Sequence, residues 1–248
     1  MTRIHGTDDG GSQLAGACSD HVALVTGGNR GIGKAIATRL ATLGASVAIC
    51  GRDEQTLNAT ANELRATDAR IYSQRADVTS ACDIDAMVKQ TEAALGPISI
   101  LVNNAGMGLF GPVQDKSEQE WDTVINTNLK SIFLVSRRVI PGMIQRKRGD
   151  IINISSLAGK NTFAGGGIYC ASKWAVQGLS GCMAEDLRGH GIRVSTVCPG
   201  SVATEFSGPK DPRKVLTPQD VAHAVAMIAT QGPQSFLSEV HLRPVAKP

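Results

Sequence analysis

The sequence predicts one doubly wound α/β domain, a parallel sheet of six to seven strands flanked by helices. Three observations predict it. Short β-branched apolar runs alternate with segments of helical length, no linker or internal repeat divides the 248 residues, and the first apolar run leads straight into a glycine-rich turn. Such alternation implies parallel strands joined by right-handed crossovers. A chain of this length removes roughly 70 to 75% of its extended-chain surface from water on folding, which suffices for one core without disulfides or metals.

Residues 1–20 are polar, Gly-rich and aperiodic, lack the apolar surface to offset their ordering entropy, and read as a mobile arm. The single domain then runs over 21–248. Its strand runs are VALVT (22–26), SVAIC (46–50), RIYSQ (70–74), ISILV (98–102), DIINIS (150–155) and IRVSTV (192–197), continuous as in strands covered on both faces. FLSEVHL (236–242) supplies a seventh. Amphipathic segments at about 34–43, 53–66, 80–95, 117–144, 168–189 and 217–230 supply the helices.

The composition excludes several classes. With 25 Lys+Arg against 22 Asp+Glu the net charge is +3, without the clustered excess of a nucleic-acid binder. The six cysteines (Cys18, Cys50, Cys82, Cys170, Cys182, Cys198) contain no CxxC pair, and the five histidines form no ligand-spaced cluster with them. No metal is expected, and the thiols read as buried and reduced. No basic-plus-apolar leader opens the chain and no run nears the ~20 apolar residues of a membrane span, so a cytoplasmic protein without membrane partners is expected.

The first strand enters Thr26-Gly27-Gly28-Asn29-Arg30-Gly31-Ile32-Gly33, and the helical period resumes at once with Ala35, Ile36 and Leu40. Strand, glycine turn and helix form the context of a Rossmann-like dinucleotide site, where the backbone approaches a pyrophosphate held at the positive end of the helix. Contacts are expected from Gly27, Asn29, Arg30, Gly31, Ile32 and Gly33. The stretch from Gly28 to Lys34 also approximates a triphosphate P-loop, but Ala35 stands where that loop needs Ser or Thr for Mg²⁺.

The second strand ends in Cys50-Gly51-Arg52-Asp53, where the residue that reads the adenosine ribose is expected. Gly51 leaves room there, and Arg52, with Arg30 from the glycine turn, offers cations for a 2′-phosphate, so NADP(H) is preferred and NAD(H) is the alternative. Asp53 is either the ribose acid or the N-cap of the next helix. Asp77-Val78 after the third strand is a second adenine contact, or else Asp77 caps a helix.

Tyr169 and Lys173, in YCASK, stand at i, i+4 and share a helix face. An ordinary tyrosine near pKa 10 is too weak an acid at neutral pH, and a neighbouring ammonium lowers its pKa. TGGNRGIG (26–33), NNAG (103–106), Asn128, Ser156, YCASK (169–173) and PGSVAT (199–204), in this order, closely resemble the short-chain dehydrogenase/reductase family over residues 21–205. The resemblance implies Tyr169 as general acid and base, Lys173 as the group that lowers its pKa and holds the nicotinamide ribose, and Ser156 as hydrogen-bond donor to the substrate oxygen. Asn128, preferred to Asn126 by its spacing to Lys130 through Phe133, supports a water that leads from the lysine to solvent. Asn103, Asn104, Ala105 and Gly106 match the segment that borders the adenine side and steadies the central sheet, with backbone contacts to the cofactor expected there. Pro199 and Gly200 turn beneath the nicotinamide, and Val202 and Thr204 contact its carboxamide.

In that family the loop after NNAG, here 107–114, and the segment after Thr204, here a short loop at 205–216, select the substrate. Met107, Leu109, Phe110 and Phe206 give them an apolar lining. The C-terminus lacks the Gly-Gly common after the last strand, which weakens the likeness to 3-oxoacyl carrier-protein reductases. Arg146-Lys147-Arg148 resembles their acyl carrier protein docking spot, although cations at a helix end are favoured by the dipole anyway. Val135, Ile140, Ala175, Leu179 and Met183 suggest the paired helices of a homodimer or homotetramer. The expected activity is hydride transfer between NADP(H) and a small-molecule carbonyl or alcohol substrate. The alternatives are an NAD-dependent alcohol dehydrogenase and a non-catalytic dinucleotide-sensing regulator.

Overall fold

In the computed structural model, which describes residues 16–207 and 211–246, seven strands form one parallel sheet. They are β1 (Val22–Thr26), β2 (Ser46–Gly51), β3 (Ile71–Arg75), β4 (Ile100–Asn103), β5 (Gly149–Ile154), β6 (Ile192–Pro199) and β7 (Glu239–Leu242), in the order β3-β2-β1-β4-β5-β6-β7. The chain builds outward from β1 to β3, then returns to place β4 on the other side of β1. That reversal opens a crevice at the carboxyl ends of the strands. The seventh strand is part of the sheet, its Thr196↔Glu239 to Pro199↔Leu242 register in line with the rest.

The pleat sends alternate β1 residues to opposite faces. Ala23 and Val25 join a core with α1 (Gly31–Thr42), α2 (Glu54–Leu64) and α7 (Pro218–Ala229); Val22 and Leu24 join a second core with α3 (Ala81–Leu95), α5 (Ser131–Arg146) and α6 (Gly167–Arg188). Both faces of every central strand are therefore covered by helices, which explains the continuous apolar runs.

Several expectations need correction. The supposed arm ends earlier, because residues 16–20 form a turn whose Cys18 is fully buried in the first core, its N–H donating to the Leu43 carbonyl at 2.9 Å. Residues 1–15 of that arm, like 208–210 of the substrate loop, lie outside the described residues. The helical segment expected at 117–144 is α4 (Glu118–Ile125), a π-helical turn at Asn126–Lys130, and α5. All six cysteines are free, but Cys82 and Cys182 are exposed rather than buried.

A buried polar network ties the centre of the sheet to its helices. Asn103 Nδ2 donates to Asn153 Oδ1 at 2.8 Å and to Ser136 Oγ at 3.1 Å, and Asn153 Nδ2 donates to Ser180 Oγ at 2.8 Å. These bonds use both N–H groups of Asn103 and both ends of the Asn153 amide, so the network stiffens β4 and β5 beneath the crevice. No described helix is long and apolar enough to cross a membrane.

Candidate active site

The crevice is a cleft of about 2140 Å³ running from the end of β2 to the first turn of α6. Gly27, Asn29, Arg30, Gly31, Ile32, Gly33, Arg52, Asp77, Val78, Asn104, Ala105, Gly106, Ser156, Tyr169, Lys173, Pro199, Gly200, Val202 and Thr204 all line it. Of the expected catalytic and cofactor residues only Asn128 is not on its wall, being buried behind it, and of the expected apolar lining Met107, Phe110 and Phe206 are on the wall while Leu109 is not.

The glycine turn forms the floor. Gly27 and Gly31 have φ of 62° and 52°, in the left-handed region that favours glycine. A Cβ at Gly33 would lie 2.1 Å from the Gly27 carbonyl oxygen and 2.5 Å from Asn104 Nδ2. No side chain caps α1 and its first turn holds no acid, which leaves its positive end to an anion in the cleft. Asn104 holds this turn in shape: Nδ2 donates to the carbonyls of Thr26 and Gly27 at 3.0 and 3.1 Å, and Thr26 Oγ1 accepts from the N–H of Asn104 and Ala105. The amide of Asn104 therefore serves the turn itself, a role beyond bordering the adenine side.

At the adenosine end, Asp53 is the N-cap of α2 and accepts from Thr56 N at 2.7 Å. Its hydrogen bonds with Thr56 hold the carboxyl below the ordinary aspartate value. The N-cap reading thus stands over the ribose acid. Asn29 also faces α2, donating from Nδ2 to Thr56 Oγ1 at 2.8 Å. Asp77 does not cap α3; Ser80 does, and Asp77 instead accepts from the N–H and hydroxyl of Thr79. Arg52 is exposed at the cleft edge, and its carbonyl accepts from Arg75 Nε at 3.1 Å. Arg30 reaches across the cleft to Glu205, 2.7 Å away.

At the other end, Tyr169 lies in the first turn of α6 and lines the cleft together with Ser156. Ser156 Oγ accepts from Ala158 N at 3.1 Å and donates to the Pro199 carbonyl at 3.4 Å, which links the ends of β5 and β6. One turn along α6, Lys173 Nζ donates to the Ile154 carbonyl at 2.9 Å. Asn128 owes its inward position to the π-helical turn: Oδ1 accepts from Met107 N at 2.8 Å, and Nδ2 donates to the Met107 carbonyl at 2.8 Å and to Ser172 Oγ at 3.0 Å. It thereby fastens the substrate-side loop to α6. Gly106 keeps the space between Asn128 and Lys173 open, since a Cβ there would lie 3.3 Å from Asn128 Oδ1 and 3.7 Å from Lys173 Nζ.

The electrostatics differ from the simple expectation. Burial pushes the Tyr169 hydroxyl above the ordinary tyrosine value, opposed by the Ser156 hydroxyl, and burial brings Lys173 down to about 8. Lys173 Nζ stands 5.9 Å from the Tyr169 ring centroid and is turned to the Ile154 carbonyl.

Phe163, Asn161, Thr162, Lys214 and Arg243 also line the cleft and were missed from sequence. The signal that could have found Phe163 and Arg243 is their place just past β5 and β7, since ligands in open α/β sheets bind at the carboxyl ends of strands. The substrate loop is tied at both ends, Ala203 N donating to the Leu216 carbonyl and Leu216 N to the Ser201 carbonyl, each at 2.8 Å.

Two other expectations change place. Arg146 and Arg148 sit at the opposite, amino end of the sheet, donating to the Ile98 carbonyl and facing His21 Nε2, with Lys147 between them in left-handed backbone. A strand length of roughly 17–20 Å separates that end from the cleft. Val135 and Met183 are buried in the second core, whereas the outer faces of α4, α5 and α6 present Trp121, Phe133 and Trp174. Beyond the cleft, the β6–β7 register brings Cys198, Glu239 and His241 within 4.8 Å of one another, a grouping the sequence spacing did not reveal. Lys160 occupies the Glu239 carboxylate at 2.9 Å, and burial raises the Cys198 thiol to about 11.

The family model described as short chain dehydrogenase matches residues 21–214. An uncharacterized oxidoreductase of Staphylococcus aureus (strain USA300) is 34% identical over 229 residues, 92% of this chain and 98% of the relative. Among solved structures, a metagenomic short-chain oxidoreductase in complex with NADP is 46% identical with a TM-score of 0.83, covering 93% of this chain and 100% of its own. An alcohol dehydrogenase from the archaeon Thermococcus sibiricus, complexed with 5-hydroxy-NADP, is 28% identical with a TM-score of 0.86, covering 92% and 98%.

Proposed function

Because this chain belongs to the short-chain dehydrogenase/reductase family, an oxidoreductase family, we propose that it interconverts a small-molecule carbonyl and its alcohol with NADP(H). One observation carries the reading: Tyr169 and Ser156 share one end of a cleft whose other end is a glycine turn that excludes a Cβ at Gly33. The residues fit a dinucleotide. Gly27, Gly31, Ile32 and Gly33 would hold the pyrophosphate at the open end of α1, Arg52 and Arg30 the 2′-phosphate, and Asp77, Val78, Asn104, Ala105 and Gly106 the adenosine side. Lys173, Pro199, Gly200, Val202 and Thr204 would hold the nicotinamide half. When bound, that cofactor supplies or accepts the hydride.

The chain's own residues handle the proton. Ser156 Oγ turns its one hydroxyl hydrogen from the long bond to the Pro199 carbonyl onto the substrate oxygen, where negative charge develops. The Tyr169 hydroxyl gives that oxygen its proton in reduction, and the phenolate takes it back in oxidation. Lys173, buried and easily discharged, passes protons between Tyr169 and the Asn128 region of the wall. Burial of the tyrosine also keeps water from competing for the substrate oxygen.

A pH profile tests the proton assignment. Reduction needs protonated Tyr169, so its kcat/KM is expected to fall as pH rises, and alcohol oxidation, which needs the phenolate, is expected to rise over the same range. Because burial holds the Tyr169 hydroxyl above the ordinary tyrosine value, the crossing region should lie on the alkaline side of that value. Parallel profiles in both directions would remove Tyr169 from this role.

The function as a whole is tested by a panel of ketones and aldehydes followed through NADPH absorbance, with NADH in parallel. NADPH is expected to be preferred, and Arg52→Ala to raise its KM about tenfold with little change for NADH, as loss of a charge-assisted phosphate contact does. The pairing of Arg30 with Glu205 favours a second reading, an NAD(H)-dependent alcohol dehydrogenase, because it diverts one cation from a phosphate. A clear NADH preference would establish that alternative. The exposed Trp121, Phe133 and Trp174 support a homo-oligomer paired through α4, α5 and α6.

A further inference from the structure

Three of the chain's five phenylalanines converge at the substrate end of the cleft, from three different loops. Phe110 follows β4, Phe163 follows β5 and Phe206 follows β6. Phe110 stands edge-on to Tyr169, with ring centroids 5.4 Å apart and planes at 67°, and Phe206 lies 5.9 Å from the same ring. Phe110 also meets Phe206 at 6.4 Å and 87°, and Phe163 at 6.1 Å. The rings thus form one cluster around the hydroxyl-bearing ring of the site.

Two glycines make the cluster possible. A Cβ at Gly108 would lie 2.7 Å from Cζ of both Phe110 and Phe206, and one at Gly166 would lie 2.7 Å from the Phe163 ring. Gly111 N donates to the Gly165 carbonyl at 2.8 Å, so the Phe110 and Phe163 loops form one joined wall. Yet the three rings remain 46%, 50% and 47% exposed, for Phe110, Phe163 and Phe206 respectively. Apolar rings converging in a cleft and left half exposed form a surface suited to an apolar ligand.

We infer that this cluster is the substrate-recognition site for aryl ketones and the matching benzylic alcohols. The inference rests on the reductase reading above and names its substrate class. An aryl ketone carries its ring on the carbonyl carbon itself. With its oxygen at Tyr169 and Ser156, its ring falls among the rings already packed on Tyr169, where flat aromatic edges and faces meet as they do in edge-to-face pairs. A straight alkyl chain of equal carbon count makes the same apolar contact but has no quadrupole to match, and it loses more rotational freedom on binding.

The test compares phenyl methyl ketone with 2-octanone, which has the same number of carbons, using the full enzyme and NADPH. The aryl ketone is expected to show kcat/KM about tenfold higher, and Phe110→Leu and Phe206→Leu, which keep apolar bulk and remove the ring, should each shrink that ratio about threefold. Saturation-transfer NMR on the wild-type enzyme with oxidised cofactor gives a readout apart from turnover, with transfer expected to the ring protons of the ketone. Equal kcat/KM for the two ketones, or a ratio untouched by both leucine variants, overturns the aryl preference and leaves the reductase reading standing. Failure to reduce either ketone or any other carbonyl of the panel overturns the reductase reading. In that case ring-proton transfer alone upholds the aromatic site, and its absence overturns that as well.

Discussion

Tyr169→Phe is expected to lower kcat for carbonyl reduction by about 10³-fold while leaving the fold and cofactor binding in place. The substitution removes one oxygen and nothing else. The ring keeps its contacts with Phe110 and Phe206, and Ser156 keeps its bonds to Ala158 and Pro199. The substrate oxygen can still meet the Ser156 hydroxyl, but no positioned acid remains to protonate it. Burial works in favour of the phenol as an acid held in reserve: it raises the hydroxyl above its ordinary value, so the proton stays on until a substrate arrives. Stopped-flow measurement of NADPH oxidation, together with NADPH fluorescence titration of the variant, separates the two effects. Residual turnover within about tenfold of wild type would assign the proton to another group.

The second large effect is structural. Gly33→Ala is expected to weaken NADPH binding by about a hundredfold or more and to destabilise the protein by about 1–3 kcal/mol, as overpacking does in a site that cannot relax. The new methyl would sit 2.1 Å from the Gly27 carbonyl oxygen, and that oxygen is itself fixed by Asn104 Nδ2. Relief requires α1 to move away from β1, which opens the turn proposed above to hold the pyrophosphate. Gly232→Ala is the control, since a Cβ there meets nothing within 4 Å. Calorimetry of the two variants should separate them by several degrees in Tm, at roughly 2–4 °C per kcal/mol. An unchanged Tm and NADPH affinity in Gly33→Ala would mean that the turn is not the close-packed cradle described above.

Most of the architecture was legible because parallel strands buried on both faces leave a mark no other element leaves. VALVT, SVAIC and DIINIS can hardly be anything else. The glycine turn and YCASK were legible for a different reason, since backbone approach and i, i+4 geometry fix residue types at fixed spacings. What escaped was set by partners distant in the chain. Cys18 is ordered by Leu43, Arg30 is held by Glu205, and Asn104 supports Gly27. Asp77 and Ser80 are equally good caps on paper, and only the hydrogen bonds show that Ser80 is used. The π-helical turn around Asn128 gave no local sign because one wide turn inside an amphipathic stretch barely disturbs its period. The depressed Lys173 pKa depends on a burial that no spacing rule supplies.

The placement of β1 between β2 and β4 carries a consequence for how the chain is made. During synthesis the first three strands leave the ribosome with one edge of β1 bare, and that edge stays bare until Asn103 has emerged. The glycine turn is complete by then in sequence but not in shape, because the Asn104 amide that braces it comes 77 residues after Gly27. A nascent chain that has passed Gly33 therefore carries the whole phosphate-binding motif without a phosphate site. The brace of the glycine turn and the closure of the sheet beside β1 thus come from one segment, Asn103 and Asn104, and neither is available before that segment has emerged.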